Sequence, residues 1–335
     1  MARVDGLDDV VTPQRSRHRS SIAWRSAWQS AAQRFWSDAS PGDHFSTSAG
    51  DLLADRLAGI VRGVDARLGS PEDFVVIDLG AADGALVSLV RDRCGELGDR
   101  ARWIAVDVRD RFVDGIEGVV AELPGDLPAV PIRGVVMAHE WLDEIPLDIV
   151  ERDAVGIDRL VLVDEGGEES LGPSIDDDAA CAQWGVDAAA ARAWISRWWP
   201  LREAGDRAEV GLPRDAAWTW MTSLLTSGLA LAVDYGHERD QRVDDFMRGT
   251  LAGYRAGRVV APVPDGSAGL TAHVAIDSCR AAVPGTTLTR QRDEFALAHL
   301  PEAANADAIE RYFATRRLRQ SAGLGSFAWL RWEAP

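Results

Sequence analysis

The stretch that most constrains the fold lies between residues 74 and 107, where two apolar runs flank a glycine-containing turn and a helix. Residues 74–79 (FVVIDL) and 101–106 (ARWIAV) are rich in β-branched and aromatic side chains, which is typical of strands buried in a parallel sheet. Residues 85–94 have the apolar spacing of a helix. Because parallel strands need such a crossover, this stretch predicts a βαβ unit and an α/β fold.

The rest of the chain largely continues this alternation. Further strands are predicted at residues 132–138, 229–233, 287–289 and 326–332, and further helices at residues 20–36, 51–68, 214–226, 291–297 and 307–322. The polar, arginine-containing residues 1–19 are predicted to be a flexible lead. We therefore expect a single domain over residues 20–335, with an N-terminal helical lid.

Residues 147–165 break the alternation. Two apolar runs flank Val155 and Gly156 with no room for a crossover helix, which predicts an antiparallel hairpin. Helices are predicted next at residues 176–185 and 187–199. We interpret residues 147–226 as an insertion that leaves the main sheet and covers its crevice.

The turn after the first predicted strand has the composition of a nucleotide-type cofactor site. Gly80, Ala82 and Gly84 are small enough for a ligand to approach the backbone at a helix N-terminus. Asp78 ends the strand and is placed to face an ammonium group. Asp107 ends the next strand and is placed to accept both hydroxyls of a ribose. These acids, and the absence of the second glycine of a dinucleotide site, favour S-adenosylmethionine over NAD.

A second cluster of acids follows the strand predicted at residues 132–138. Glu140 and Asp143 are three positions apart, so one helical turn would present both carboxylates together. We predict them to be catalytic residues on the acceptor side, with Glu140 also contacting the cofactor near the transferred methyl group. The alternative is structural, with Glu140 accepting backbone N–H groups and Asp143 capping a helix. His237 and His273 likewise fit either a packed histidine or a base.

Composition excludes several classes of protein. The chain has a net charge of −17 and contains no lysine, which argues against a protein that follows a nucleic-acid backbone. Three cysteines without metal or redox spacing indicate a reduced environment. No apolar run is long enough for a membrane span, and the first residues lack a signal-peptide core. We expect a cytoplasmic protein without a bound metal; whether it forms a homodimer stays open.

Seven motifs resemble those of the MidA-type S-adenosylmethionine-dependent methyltransferases, in the same order. They span residues 42–48 (GDHFSTS), 75–86 (VVIDLGAADGAL), 137–150 (MAHEWLDEIPLDIV), 234–237 (DYGH), 249–260 (GTLAGYRAGRVV), 269–277 (GLTAHVAID) and 323–330 (GLGSFAWL). The resemblance therefore extends over almost the whole chain. This sequence has His139 where the family usually has Asn, and Ala82 where it usually has Gly.

The resemblance implies a Rossmann-like class I methyltransferase sheet of seven strands and S-adenosylmethionine as the cofactor. Because the family includes a protein-arginine methyltransferase, it also implies N-methylation of a protein arginine or of another basic acceptor, protein or small molecule. Paired carboxylates are suited to hold a guanidinium in a bidentate manner. Two alternatives remain at this stage: a catalytically silent cofactor-binding assembly or chaperone factor, and an NAD-dependent oxidoreductase.

Overall fold

The computed structural model describes residues 21–38, 49–125, 127, 132–296 and 306–334. Its strands are β1 (Ile22–Ala23), β2 (Phe74–Leu79), β3 (Arg102–Asp107), β4 (Glu117–Val120), β5 (Ile132–His139), β6 (Asp148–Arg152), β7 (Asp158–Val163), β8 (Glu169–Ser174), β9 (Arg207–Val210), β10 (Leu225–Asp234), β11 (Gly236–His237), β12 (Ala252–Arg255), β13 (Arg258–Val260), β14 (Gly269–Thr271), β15 (Val274–Ala275), β16 (Thr287–Arg290) and β17 (Ala328–Ala334). Its α-helices are α1 (Trp24–Asp38), α2 (Asp51–Arg67), α3 (Ala85–Asp92), α4 (Glu96–Arg100), α5 (Asp178–Ala182), α6 (Ala188–Trp198), α7 (Leu212–Ser223), α8 (Arg239–Asp245), α9 (Ile276–Ala282), α10 (Gln291–Glu294) and α11 (Ala306–Leu318).

The main sheet confirms the Rossmann-like prediction. Within the described residues its seven strands run in the order β16-β17-β10-β5-β2-β3-β4. The five strands from β10 to β4 are parallel neighbours, whereas β17 is antiparallel to both β10 and β16. The carboxyl ends of β2, β3, β5 and β10 therefore meet at one edge, which is where ligands bind in open α/β sheets.

Alternate residues of the central strands pack against helices on opposite faces. Val76 belongs to the core that α2 and α3 cover. Val75 and Ile77 belong to the core on the other face, which includes Trp218 of α7 and Ile276 of α9. Side chains alternate along a strand, so a continuous apolar run is what a sheet buried on both faces requires.

A second sheet lies beside the main one. Its strands run β1-β7-β6-β9, with β8 also paired to β7. Strands β6 and β7 are antiparallel, as predicted for the hairpin. The predicted insertion, residues 147–226, includes α7, but α7 packs on the main sheet rather than on the second sheet. Its apolar spacing alone does not reveal which sheet it covers.

The two N-terminal helices have different positions. In helix α1, Trp24 and Trp28 belong to one apolar cluster with Ile149 and Val163 of the second sheet. Helix α2 is part of the layer that covers the main sheet. The predicted lead at residues 1–19 and the motif at residues 42–48 lie outside the described residues.

Several strands had not been predicted. Strand β4 (EGVV) lies at the edge of the main sheet and is largely exposed, so it lacks the apolar run of a buried strand. Strands β8 and β9 and the small sheet β13-β12-β14 are also short or polar. Within the described part of the chain, no helix is both long and apolar enough to cross a membrane.

Candidate functional site

A cavity of about 1300 Å³ opens at the carboxyl ends of the central strands. Six of the seven predicted site residues line it: Asp78, Gly80, Ala82, Asp107, Glu140 and Asp143. The structure therefore brings the predicted cofactor and acceptor residues into one cavity. Its volume exceeds the usual range of small-molecule sites, so it has room for a cofactor and part of a second molecule.

The turn after β2 depends on residues that tolerate a left-handed backbone. Gly80 has φ +67° and Ala82 has φ +55°. A Cβ at Gly80 would lie 2.6 Å from Cδ1 of Trp141, so the indole, rather than ligand space, excludes a side chain there. Gly84 caps α3 with φ +79°, and a Cβ there would lie 3.1 Å from Cβ of Ala105. Its structural role is close packing of the helix on β3. Contrary to our expectation, Gly84 does not line the cavity.

Asp78 is a buried acid in the cavity wall. Burial and the negative charge of Asp107 together raise the pKa of Asp78 to about 8. A carboxylate that is costly to ionise gains most from a cation. That the ammonium group of the cofactor binds at Asp78 stays a prediction.

The carboxylate of Asp107 binds groups of the protein itself. Its Oδ2 accepts from the backbone N–H of Ala82 at 2.9 Å. Its Oδ1 accepts from the backbone N–H of Arg109 at 3.1 Å and from Nε of Arg109 at 2.8 Å. Asp107 therefore lines the cavity with an arginine bound to its carboxylate, and its contact with a ribose stays a prediction.

Glu140 and Asp143 both line the cavity but do not share one helical turn. Glu140 has φ +51°, and its N–H donates to the carbonyl of Val233 on β10 at 2.9 Å. Asp143 lies in the following 3₁₀ turn, Leu142–Glu144. The prediction of a shared turn was wrong, because Glu140 still pairs with the neighbouring strand.

Asp143 has one carboxylate oxygen bound and the other without a partner. Its Oδ2 accepts from the hydroxyl of Tyr235. Its Oδ1 is buried and has no hydrogen-bond partner among the described residues. Burial is the main cause that raises the pKa of Asp143 to about 7. A buried unpartnered oxygen is costly, and a ligand with an N–H donor would satisfy it.

Two buried residues that had not been predicted hold the Asp143 turn. Oδ2 of Asp234 accepts from the backbone N–H groups of Leu142 and Asp143 at 2.9 and 3.2 Å. The guanidinium of Arg214 donates to backbone carbonyls of Asp143, Ile145, Ala272 and His273. Asp234 belongs to the motif at residues 234–237 and is the last residue of β10, at the same sheet edge, but it was not among the predicted site residues. Nothing in the sequence near Arg214 indicates its contacts.

The acceptor side contains more acid than its cations balance. Burial and neighbouring carboxylates raise the pKa of Glu144 and of Asp234 well above the usual range. Burial lowers the pKa of His139 and of His273 to about 4, so both rings are neutral at pH 7. The histidines therefore supply no positive charge to this cluster.

The two histidines that the sequence left open, His237 and His273, differ in their surroundings. His273 lines the cavity, where its ring lies 5.2 Å from that of Tyr235. His237 is fully buried, and its Nδ1 lies 3.0 Å from Nη1 of Arg242, which also binds Asp277. The structural interpretation therefore applies to His237. No group of three or more His, Cys, Asp or Glu that could hold a metal occurs within the described ranges.

Comparison with known proteins identifies the family. The model of a family described as "Putative S-adenosyl-L-methionine-dependent methyltransferase" matches residues 53–291. The chain belongs to this family, which confirms the resemblance to MidA-type methyltransferases and the choice of S-adenosylmethionine over NAD. No curated protein sequence matches significantly.

Two solved structures from Burkholderia thailandensis have a similar fold. One is an uncharacterized protein of the COG1565 superfamily, at 20% identity and a TM-score of 0.68, covering 93% of this chain and 87% of that chain. The other is a COG1565 superfamily member bound to S-adenosyl-homocysteine, at 19% identity and a TM-score of 0.65, covering 93% of this chain and 88% of that chain. At these identities the likeness establishes the fold.

Proposed function

We propose that this methyltransferase methylates a basic nitrogen, in a protein arginine or in another basic acceptor. The observation that carries the proposal is the buried, unpartnered Oδ1 of Asp143 in the cavity wall. Only a hydrogen-bond donor can satisfy this atom when the carboxylate is ionised. An acceptor nitrogen that carries N–H groups is such a donor.

The charge of the cavity supports a cationic acceptor. Asp143 and Asp234 are buried and Glu144 beside them is half-buried. Each has a pKa that burial and at least one neighbouring carboxylate raise. The buried cation beside them, Arg214, donates to backbone carbonyls. A cation bound in the cavity would reduce the repulsion among the carboxylates.

The contacts of Asp143 also limit how an acceptor is held. Tyr235 already donates to Oδ2, so Oδ1 is the oxygen of Asp143 that is wholly available to an acceptor. A guanidinium carries more N–H groups than this one oxygen can accept, and a second carboxylate, Glu140, lines the same cavity. A primary ammonium could be held by Oδ1 alone.

The reaction requires the acceptor nitrogen to lose one proton. When bound, the cofactor supplies a methyl group already activated on a sulfonium sulfur. A new carbon–nitrogen bond forms as the carbon–sulfur bond breaks, and the proton passes from the nitrogen to Oδ1 of Asp143. With a pKa of about 7, Asp143 is a suitable proton acceptor near neutral pH. Tyr235 orients it through Oδ2.

The proposal can be tested in two stages. Calorimetry with S-adenosylmethionine, S-adenosyl-homocysteine and NAD first verifies that the purified chain binds the cofactor. Isotope-labelled methyl transfer is then measured on a panel of arginine peptides, lysine peptides and small amines and guanidines. We expect transfer to a basic acceptor, and a loss of at least two orders of magnitude in Asp143→Asn and in Glu140→Gln, with most cofactor affinity retained.

Glu165→Gln is the matched control, since Glu165 is an exposed carboxylate between β7 and β8 and its amide variant should keep full activity. Unchanged turnover in the Asp143 and Glu140 variants would remove these residues from the mechanism. Tight cofactor binding without transfer to any acceptor would contradict the proposal and favour a silent assembly factor.

A further inference from the structure

The strongest unexplained contact in the cavity is the one between Arg109 and Asp107. Nε and Nη2 of Arg109 donate to the two carboxylate oxygens at 2.8 and 3.3 Å. About nine-tenths of each side chain is buried, so water screens the pair poorly. Both oxygens of the residue that the sequence assigns to the ribose are therefore bound by an arginine of the same chain.

A tryptophan of the N-terminal helix covers this arginine. The guanidinium carbon of Arg109 lies 5.2 Å from the ring centroid of Trp36, within the range of a cation–π contact. Trp36 and Arg109 both line the cavity. Helix α1 itself is anchored elsewhere, because Arg34 donates to the carbonyl of Pro264 at 2.8 Å. The guanidinium is thus held between Asp107 and a ring on an anchored helix.

We propose that Arg109, held by Trp36, is an affinity-determining residue of the cofactor site that competes with the ribose for Asp107. A ribose diol donates two O–H groups to a carboxylate in the same positions that Nε and Nη2 of Arg109 occupy. The diol and the guanidinium cannot bind these lone pairs together. Cofactor binding therefore displaces the Arg109 side chain.

The backbone contacts of Asp107 make this exchange feasible. The N–H groups of Ala82 and of Arg109 stay bound to the carboxylate when the guanidinium leaves. Asp107 therefore keeps its orientation while its outer lone pairs become available to the hydroxyls. The free energy of the lost ion pair is subtracted from the binding of the cofactor.

The test is the dissociation constant of S-adenosyl-homocysteine, measured by calorimetry on the full chain. Removing the guanidinium in Arg109→Ala should tighten binding by roughly three- to tenfold, the range expected for one partly buried ion pair. Equal or weaker binding in Arg109→Ala would overturn the proposal. The arginine would then either have no effect on cofactor affinity or contact the cofactor directly. Thermal unfolding verifies that each variant is folded.

A double-mutant cycle distinguishes local competition from a general change of charge. In the Asp107→Asn background, which weakens binding by itself, Arg109→Ala should bring no further gain. The same gain in both backgrounds would overturn the proposal. Arg102→Ala is the matched control: Arg102 pairs with Glu117 at the far end of β3, and its removal should leave the affinity unchanged.

Trp36 is tested separately. Trp36→Leu removes the ring that holds the guanidinium and should tighten binding in the same direction, by about twofold. Weaker binding in this variant would overturn the part assigned to Trp36, since the ring would then contact the cofactor itself. All of these measurements need only the cofactor product, so their failure is independent of whether a basic acceptor is found.

Discussion

The two sides of the cavity are built in different ways. The cofactor side consists of one turn and the end of the next strand, so Asp78, Gly80 and Asp107 come from a single βαβ unit. The acceptor side joins distant segments: the hydroxyl of Tyr235 binds a carboxylate 92 positions earlier in the sequence. The cofactor side is therefore set by local backbone geometry, whereas the acceptor side depends on tertiary contacts among buried polar groups.

The largest expected effect is on the cofactor side. Gly80→Ala places a methyl group against Trp141 at a left-handed backbone position, so the turn must change shape. We expect the affinity for S-adenosyl-homocysteine to fall by roughly a hundredfold or more, measured by calorimetry. Gly59→Ala is the control, because Gly59 lies in α2 with open space around it; there the affinity should not change. Near-normal affinity in Gly80→Ala would show that the cofactor side does not depend on this turn.

The next effect tests whether tertiary contacts determine the acceptor side. Asp234→Ala leaves the N–H groups of Leu142 and Asp143 without their acceptor, which costs about 2–4 kcal/mol of unfolding free energy. We expect methyl transfer to fall by about two orders of magnitude, with cofactor affinity within about threefold of wild type. Urea unfolding and transfer assays measure the two quantities. An equal loss of cofactor affinity would remove the distinction between the two sides.

The same distinction explains what the sequence predicted. The βαβ unit and the cofactor turn were predictable because buried strands are continuous apolar runs and the turn residues are adjacent. Strand β4 was missed because an exposed edge strand carries no such run. Arg214 was missed because it binds backbone carbonyls. Every residue has a backbone carbonyl, so the residue types in the sequence do not reveal these partners. The shared turn of Glu140 and Asp143 was wrong because Glu140 pairs with β10.

A smaller effect is expected at Tyr235, and it separates positioning from structure. Tyr235→Phe removes the hydrogen bond that lowers the pKa of Asp143, so that pKa should rise. If the ionised carboxylate takes the proton, the rising limb of the pH–rate profile moves to higher pH, and transfer at pH 7 falls about tenfold. An unchanged pH profile would show that Tyr235 only fills space. Tyr312→Phe is the control, because Tyr312 lies on α11 and is not among the residues that line the cavity.

The smallest effect concerns stability. Asp78 and Asp143 have pKa values of about 8 and 7 in the folded protein, against 3.8 for an ordinary Asp. Between pH 6.5 and 8 the folded state therefore binds more protons than the unfolded chain, and stability falls as pH rises. The drop should be on the order of 1 kcal/mol in ligand-free protein. Below pH 6.5 the lowered pKa of His139 and of His273 makes stability rise with pH instead. The expected drop in stability is therefore confined to the range above pH 6.5.

Urea unfolding at pH 6.5, 7.25 and 8 measures this dependence. Asp143→Asn removes one titrating group, so the drop in stability should be smaller in that variant. Asp78→Asn alone should make the drop smaller still, because the pKa of Asp78 is the higher of the two. The comparison is informative because Asp78 belongs to the cofactor side and Asp143 to the acceptor side. Saturating S-adenosyl-homocysteine, whose ammonium group we place at Asp78, should abolish the part due to Asp78 and leave the part due to Asp143. A cofactor product that suppressed both parts equally would mean that the two carboxylates titrate as one site, and the division of the cavity into two sides would fail.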